Sequence, residues 1–288
     1  MRCYAKIHSY QLLFVADVDY DCHHKDKFFR RHCVVAKILP RFDAVLFLDA
    51  DTGVVNPSRK IEEFLKPGID ITFVNRFCNW EIASGFYLAR NTPFAINLLN
   101  NFADYESKLP NSFHGTDNGA IHIFLAEKIF PQASIEIGIC RRAYEKSTSV
   151  EDLILYEACI KALFGVVTDF GKIQILRKGT GWARDGWLTS MVWHPETDFM
   201  LHGWKTNALI PTPTDPLVAI EMSMSQWFNP LNGSIDLSKC NSHNSTWNYD
   251  ARLLGNNEEI QKSLHRIQKE NSILQVKAYS DFSKFISL

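Results

Sequence analysis

The chain has 288 residues, 46 % hydrophobic and 22 % charged, with a formal net charge of −1. A near-neutral chain this rich in apolar side chains is expected to fold round a sizeable core, and its net charge argues against a partner held mainly by charge, such as duplex nucleic acid, while leaving room for local basic patches. It contains no run of ~18 apolar residues to span a membrane and opens on no signal peptide.

In chain order, Met1–Ser9 reads as a helix. Leu12–Val18 is an apolar run ending at Asp17 and Asp19 and reads as a buried strand. Phe28–Leu39 carries apolar residues at helical spacing and stops at Pro40. Ala44–Leu48 is a second apolar strand, bounded by Asp43 and by Asp49-Ala-Asp51. Ile61–Leu65 reads as a short helix, Ile69–Val74 and Gly85–Ala89 as strands, and Pro93–Tyr105 and Asn118–Ala126 as helices. This alternation predicts an α/β fold whose sheet is mixed but mostly parallel and covered by helices on both faces. Such sheets bind ligands beyond the carboxyl ends of their strands, where Asp49 and Asp51 fall. The character changes after about residue 205. Pro211–Pro216 reads as a linker or strap, residues 229–250 are rich in Asn and Ser, and Leu253–Val276 has the mixed charge of a solvated helix. The expected division is a domain over 1–210 and a C-terminal extension over 211–288.

Of the seven cysteines, no pair has the CxxC spacing of a zinc ribbon or thioredoxin motif. An odd count leaves one thiol over if the others pair. Cys33 and Cys159 lie in apolar helical surroundings and read as buried thiols. Two acceptor sequons, Asn232-Gly-Ser234 and Asn244-Ser-Thr246, favour a secretory compartment.

The acidic pair is the strongest local signal. Carboxylates at i and i+2 of extended chain point to one side, where their charges repel unless a cation lies between them. Hard ions such as Mn²⁺ or Mg²⁺ suit such oxygen ligands and leave positions open for phosphate oxygens. The competing reading is two solvated Asp side chains capping a turn. Phosphohydrolases of the haloacid-dehalogenase type also place DxD after an apolar strand. They usually carry Thr or Val two residues past the second Asp, where Gly53 stands, and a later GDxxxD motif that is not found here.

Three further segments resemble glycogenin-like retaining glycosyltransferases of the GT-A (Rossmann-like) fold. Gly115-Thr-Asp-Asn-Gly-Ala-Ile-His122 is similar to their G-G-D-Q-G-I-L-N stretch. Ala83-Ser-Gly-Phe-Tyr-Leu-Ala-Arg90 resembles their N-x-G strand, and His202-Gly-Trp-Lys205 a shortened H-x-x-G-x-x-K-P-W. Tyr4-Ala-Lys-Ile-His-Ser-Tyr10 looks like the Y-A-x-x-H-G-Y of yeast galactomannan and mannan transferases. FFRRHCVVAKILPRFDAVLFLDAD, SFHGTDNGAIH, KGTGWARDGW and DFMLHGWK resemble most closely a nematode-expanded family catalogued as domain of unknown function 273, over roughly residues 1–210.

The resemblance implies a metal-dependent hexosyltransferase that moves sugar from a UDP- or GDP-linked donor to a glycan or glycoprotein acceptor, with retention, in the Golgi or another secretory lumen. Asp49, Asp51 and His202 would hold Mn²⁺ (or Mg²⁺), and Lys205 would pair with the diphosphate. Asp117 would bond sugar hydroxyls and Asn118 would stand beside the anomeric carbon. Arg31 and His32 would contact the nucleotide, with Ser84 and Gly85 on the donor side. Glu81 beside Trp80 would line the donor pocket or cap a strand.

Gly179–Trp187 interleaves Gly and Trp. It reads as an acceptor platform of Trp182 or Trp187 with Arg184 and Asp185, or as a tight turn with buried Trp. His202 also fits a His capping a strand end, and Asp117 an N-cap.

Relative to those families, the N-x-G motif reads Ala83-Ser84-Gly85 without Asn, Lys205 has no Pro-Trp after it, and Asn118 is one methylene shorter than Gln. The first strand of the fold, before the Met1–Ser9 helix, is expected to be missing from this chain. These departures keep open a catalytically inactive carbohydrate- or protein-binding relative.

Overall fold

The computed structural model describes residues 1–15, 20–77, 80–214, 226–242 and 247–282. The chain forms two compact units. One holds Met1–Val15, Asp49–Phe64 and Gly181–Gln268; the other holds Ala16–Leu48, Leu65–Thr180 and Lys269–Leu288.

The larger unit is an α/β body on a five-stranded sheet. Its strands are β1 (Ala44–Leu48), β3 (Ile71–Val74), β4 (Phe86–Arg90), β5 (Asp169–Phe170) and β6 (Ile173–Leu176), in the order β1-β4-β3-β6-β5. Only β3 and β6 run parallel; the other three neighbour pairs are antiparallel. This corrects the mostly parallel sheet expected from the sequence. A parallel crossover needs a dozen or more residues. The turn from β3 to β4 instead closes through the Asn75↔Ile82 antiparallel bridge, and Gly171, with φ +72, turns β5 straight into β6.

Among the described residues, five α-helices lie wholly in this unit: α2 (Lys27–Ile38), α3 (Pro93–Asp104), α4 (Thr116–Ile129), α5 (Ser134–Lys146) and α6 (Val150–Phe164). Local chemistry fixes their starts. The Asp26 carboxylate accepts from Phe28 N–H, Thr92 caps α3 just before Pro93, and Ser149 accepts from Asp152 N–H. Helices α2 and α3 pack together, as do α5 and α6. Phe29, Phe73, Tyr87, Phe102, Phe124 and Tyr156 fill the core between elements. Strand β1, expected to be buried, is half-buried and lies at the sheet edge among the described strands.

The smaller unit carries a three-stranded sheet, β2-β8-β7, made of Thr52–Val54, Met200–His202 and Ala183–Asp185. A short helix α1 (Arg2–Ile7) opens the unit. Tyr4 of α1 donates to Arg59 O at 2.9 Å and its ring meets those of His8, Tyr10 and Phe199. Residues 257–268 of the last helix, α7 (Asn257–Phe282), belong to this unit and 269–282 to the other.

The strand expected over Leu12–Val18 does not form within the described residues. Residues 11–15 have no regular structure and Phe14 is 72 % exposed; Ala16–Asp19, with Asp17, lie outside the described residues. Residues 61–64 form a 3-10 turn rather than an α-helix. Pro211–Thr214 is irregular, and the rest of the expected strap lies outside the described residues. The cysteines are corrected too: Cys3–Cys240, Cys22–Cys33 and Cys140–Cys159 are disulfides, so Cys33 and Cys159 are not thiols. Cys78 lies outside the described residues.

Candidate metal centre

The small sheet assembles the site by register. Thr52 pairs with His202 across β2 and β8, and Asp185 pairs with His202 across β7 and β8. Directly paired residues share one face of a sheet, so Thr52, His202 and Asp185 form one row. Asp49 and Asp51 precede β2, and two hydrogen bonds lock their turn to the other strand. Gly203 N–H and Trp204 N–H both donate to Asp51 O, at 3.0 and 2.9 Å. Gly203 makes that turn at φ +111, where a Cβ would lie 2.1 Å from Trp187 Cδ1.

The imidazole of His202 lies between three carboxylates. Its Nδ1 is 2.7 Å from Asp185 Oδ1; its Nε2 is 3.1 Å from Asp51 Oδ1 and 3.8 Å from Asp49 Oδ2. One ligand atom from each of Asp49, Asp51 and His202 lies within 4.8 Å of the others. Neighbouring ligands of an ion bound at ~2.1 Å stand about 3 Å apart, so this spacing fits a hard divalent cation. The donor set of two carboxylates and one imidazole suits Mn²⁺ or Mg²⁺. Two observations support the fit. The Thr52 hydroxyl, in the same row, is buried with no hydrogen-bond partner among the described residues. Asp185 holds the imidazole from behind, the arrangement that fixes a ligating histidine.

Burial alone would lower the His202 pKa, but the Asp185 and Asp51 carboxylates outweigh it and push it up to about 9. Burial likewise opposes ionisation of Asp51, yet the His202 hydrogen bond and charge, with Lys205, hold its carboxyl below the usual range. The ring is therefore protonated near neutral pH, and a metal bound by Asp49, Asp51 and His202 would have to displace the Nε2 proton. Lys205 is exposed, with Nζ 5.5 Å from the centre of the Trp187 ring.

The remaining expected residues divide. Asp185 is a buried partner of His202 rather than an acceptor contact. Trp182 is 1 % exposed and packs edge-on against Phe64, so neither ring face is open to a sugar. Arg184 is buried; it pairs with Asp198 and donates to Thr189 Oγ1, Ser190 O and Val192 O. Of the two readings of this segment, the burial of these three residues fits the tight turn with buried Trp.

Arg31, His32, Ser84, Gly85, Asp117 and Asn118 belong to the larger unit. Asp117 is the second residue of α4, after a turn in which Gly115 and Thr116 both have positive φ. Its side chain is 0 % exposed, and Oδ2 accepts from Arg31 Nη2 at 2.5 Å and lies 3.0 Å from His32 Nε2. Asp117 is not the N-cap, which is Gly115; its Oδ2 anchors Arg31 and His32, and its Oδ1 accepts from Thr116 Oγ1 at 3.3 Å. Burial opposes its ionisation, but His32 and Arg31 hold its pKa low, while burial lowers that of His32. Ser84 donates to Asn118 Oδ1 at 2.5 Å and accepts from Arg31 Nη2 at 3.3 Å. Buried Gly85 immediately precedes β4. Glu81 pairs with Arg76 at 2.8 Å.

Fold and cluster together define an α/β protein with mixed sheets and an Asp-Asp-His group of metal-binding geometry. The chain belongs to the family described as "Protein of unknown function, DUF273", whose model matches residues 1–219. No curated protein and no solved structure matches it. Among the described residues no helix is long and apolar enough to cross a membrane.

Proposed function

We propose that this chain is a metal-dependent glycosyltransferase of the GT-A type, moving a hexose from a UDP- or GDP-sugar to a glycan or protein acceptor. The observation that carries the reading is the convergence of Asp49, Asp51 and His202 in one small sheet, His202 arriving 151 positions after Asp51 at hydrogen-bond distance. A Mn²⁺ or Mg²⁺ ion bound there would neutralise a departing diphosphate. Lys205 adds a point charge for the same phosphates. Asp117 enters as the anchor that orients Arg31, and Asn118, held by Ser84, as the polar group of that cluster. The three disulfides support an oxidising, secretory setting.

Calorimetry with UDP and with GDP tests the reading. Binding is expected with Mn²⁺, lost with chelator and lost in Asp51→Asn. A second reading, an inactive relative that binds carbohydrate or protein, draws on the closed environment of Asp117. Mn²⁺ binding without nucleotide binding would favour it. Phosphatase activity abolished by Asp49→Asn would point to a phosphohydrolase instead.

A further inference from the structure

We infer that Asn232 is a site of asparagine-linked glycosylation. Asn232-Gly-Ser234 has the acceptor pattern that oligosaccharide transfer requires. The structure adds what the pattern lacks. Asn232, Gly233 and Ser234 are all exposed, in a loop with no helix or strand. The backbone is pinned, Asn232 N–H donating to Asn248 O at 2.8 Å and Asn248 Nδ2 to Asn232 O at 3.0 Å, while among the described residues no hydrogen bond uses the Asn232 carboxamide. Gly233 sits at φ +109 with nothing within 4 Å of a Cβ, so the loop stands clear of other atoms there. A contrasting triplet, Asn56-Pro57-Ser58, fails on both counts. Proline occupies its middle position, and Asn56 is buried with its amide donating to Glu196 O.

A second, independent observation concerns compartment. Cys240, eight residues beyond Asn232, is joined to Cys3, and two further disulfides staple the larger unit. Disulfides persist where the surroundings are oxidising, and in the secretory lumen that condition coincides with the oligosaccharide transferase. The co-reactant is a lipid-diphosphate-linked oligosaccharide. The Asn232 side-chain nitrogen attacks the anomeric carbon and forms the C–N bond. The bond from that carbon to the diphosphate oxygen breaks, the lipid diphosphate leaves, and the nitrogen gives one proton to a base.

The test expresses the full chain behind a secretion signal in eukaryotic cells, in an Asn244→Gln background that removes the other sequon. Intact mass and peptide mapping are read before and after peptide N-glycosidase in heavy-oxygen water. The expected result is a glycan's mass lost on treatment and a labelled aspartate at position 232. Asn232→Gln and, separately, Ser234→Ala should each abolish both signals; Ser234→Ala retains the asparagine if the glutamine variant misfolds. Secreted, disulfide-bonded protein with an unmodified Asn232 peptide would overturn the inference.

Discussion

An imidazole binds a cation through one nitrogen, so the group holding the other nitrogen decides which lone pair is available. In His202 that group is Asp185, 2.7 Å from Nδ1. As a carboxylate it only accepts, which keeps a proton on Nδ1 and leaves Nε2 towards Asp49 and Asp51. Replacing it with asparagine offers an N–H to Nδ1 and favours the other tautomer, with Nε2–H facing the site. Asp185→Asn should therefore weaken Mn²⁺ binding by about 10–100-fold, the usual cost of losing such a partner. Manganese electron paramagnetic resonance measures the affinity, and nitrogen NMR of the ring reads the tautomer. An unchanged affinity would show that the ring is fixed by other means. Asp49 and Asp51 were legible as a pair from residue type and spacing, and His202 only through the resemblance to glycogenin-like enzymes. The role of Asp185 was not, because Gly and Trp around it look like a surface platform, and only the pairing of β7 with β8 turns its carboxylate to His202.

At the scale of elements, β2 is three residues long, yet it carries the acidic turn. It is held through Gly53, over which the Trp204 ring lies; a Cβ there would stand 2.1 Å from Trp204 Cζ3. Gly53→Ala should displace that ring and with it the Asp51–Gly203 hydrogen bond. The expected result is a shifted tryptophan emission, a stability loss of roughly 1–3 kcal/mol and weaker Mn²⁺ binding. A second tie joins α4 to the turn before β4: His122 Nε2 accepts from Ile82 N–H at 2.9 Å, and its Nδ1 reaches Gly119 O at 3.3 Å. Burial pushes the His122 pKa down to about 4. The unfolded chain, with a histidine near 6.5, then binds more protons between those values. Stability from this group is complete above pH 6.5 and is lost as pH falls to about 4, by an amount on the order of 3 kcal/mol. Urea unfolding across that range should show a shallower slope in His122→Gln than in the unaltered chain. Most helices and strands were readable from apolar runs and caps; strand direction was not. It depended on connection length and on single turns such as Gly171, which alternation of elements does not encode.

Across the whole molecule, sequence distance and packing part company: the unit that carries the Asp49, Asp51 and His202 group is drawn from three separated stretches of chain. Periodicity does not announce this, because it reports the face of one element and not which distant elements pack together. The Cys3–Cys240 disulfide spans a sequence separation of 237 and ties α1 to the stretch before α7, packing with Ile7. A cross-link over so long a loop removes much freedom from the unfolded chain, on the order of 5 kcal/mol in the entropic account. Its loss should fall on the smaller unit, while Cys22–Cys33 and Cys140–Cys159 remain within the larger one. In Cys3→Ala/Cys240→Ala the expected outcome is a lower unfolding midpoint, with hydrogen exchange rising first in residues 1–15, 49–64 and 181–268. Mn²⁺ affinity should fall with it, since the metal centre is built on that unit, and added Mn²⁺ should recover part of the lost midpoint by binding only the folded form. Exchange rising equally in both units would mean that they unfold as one body, and the disulfide would then set the stability of the entire chain.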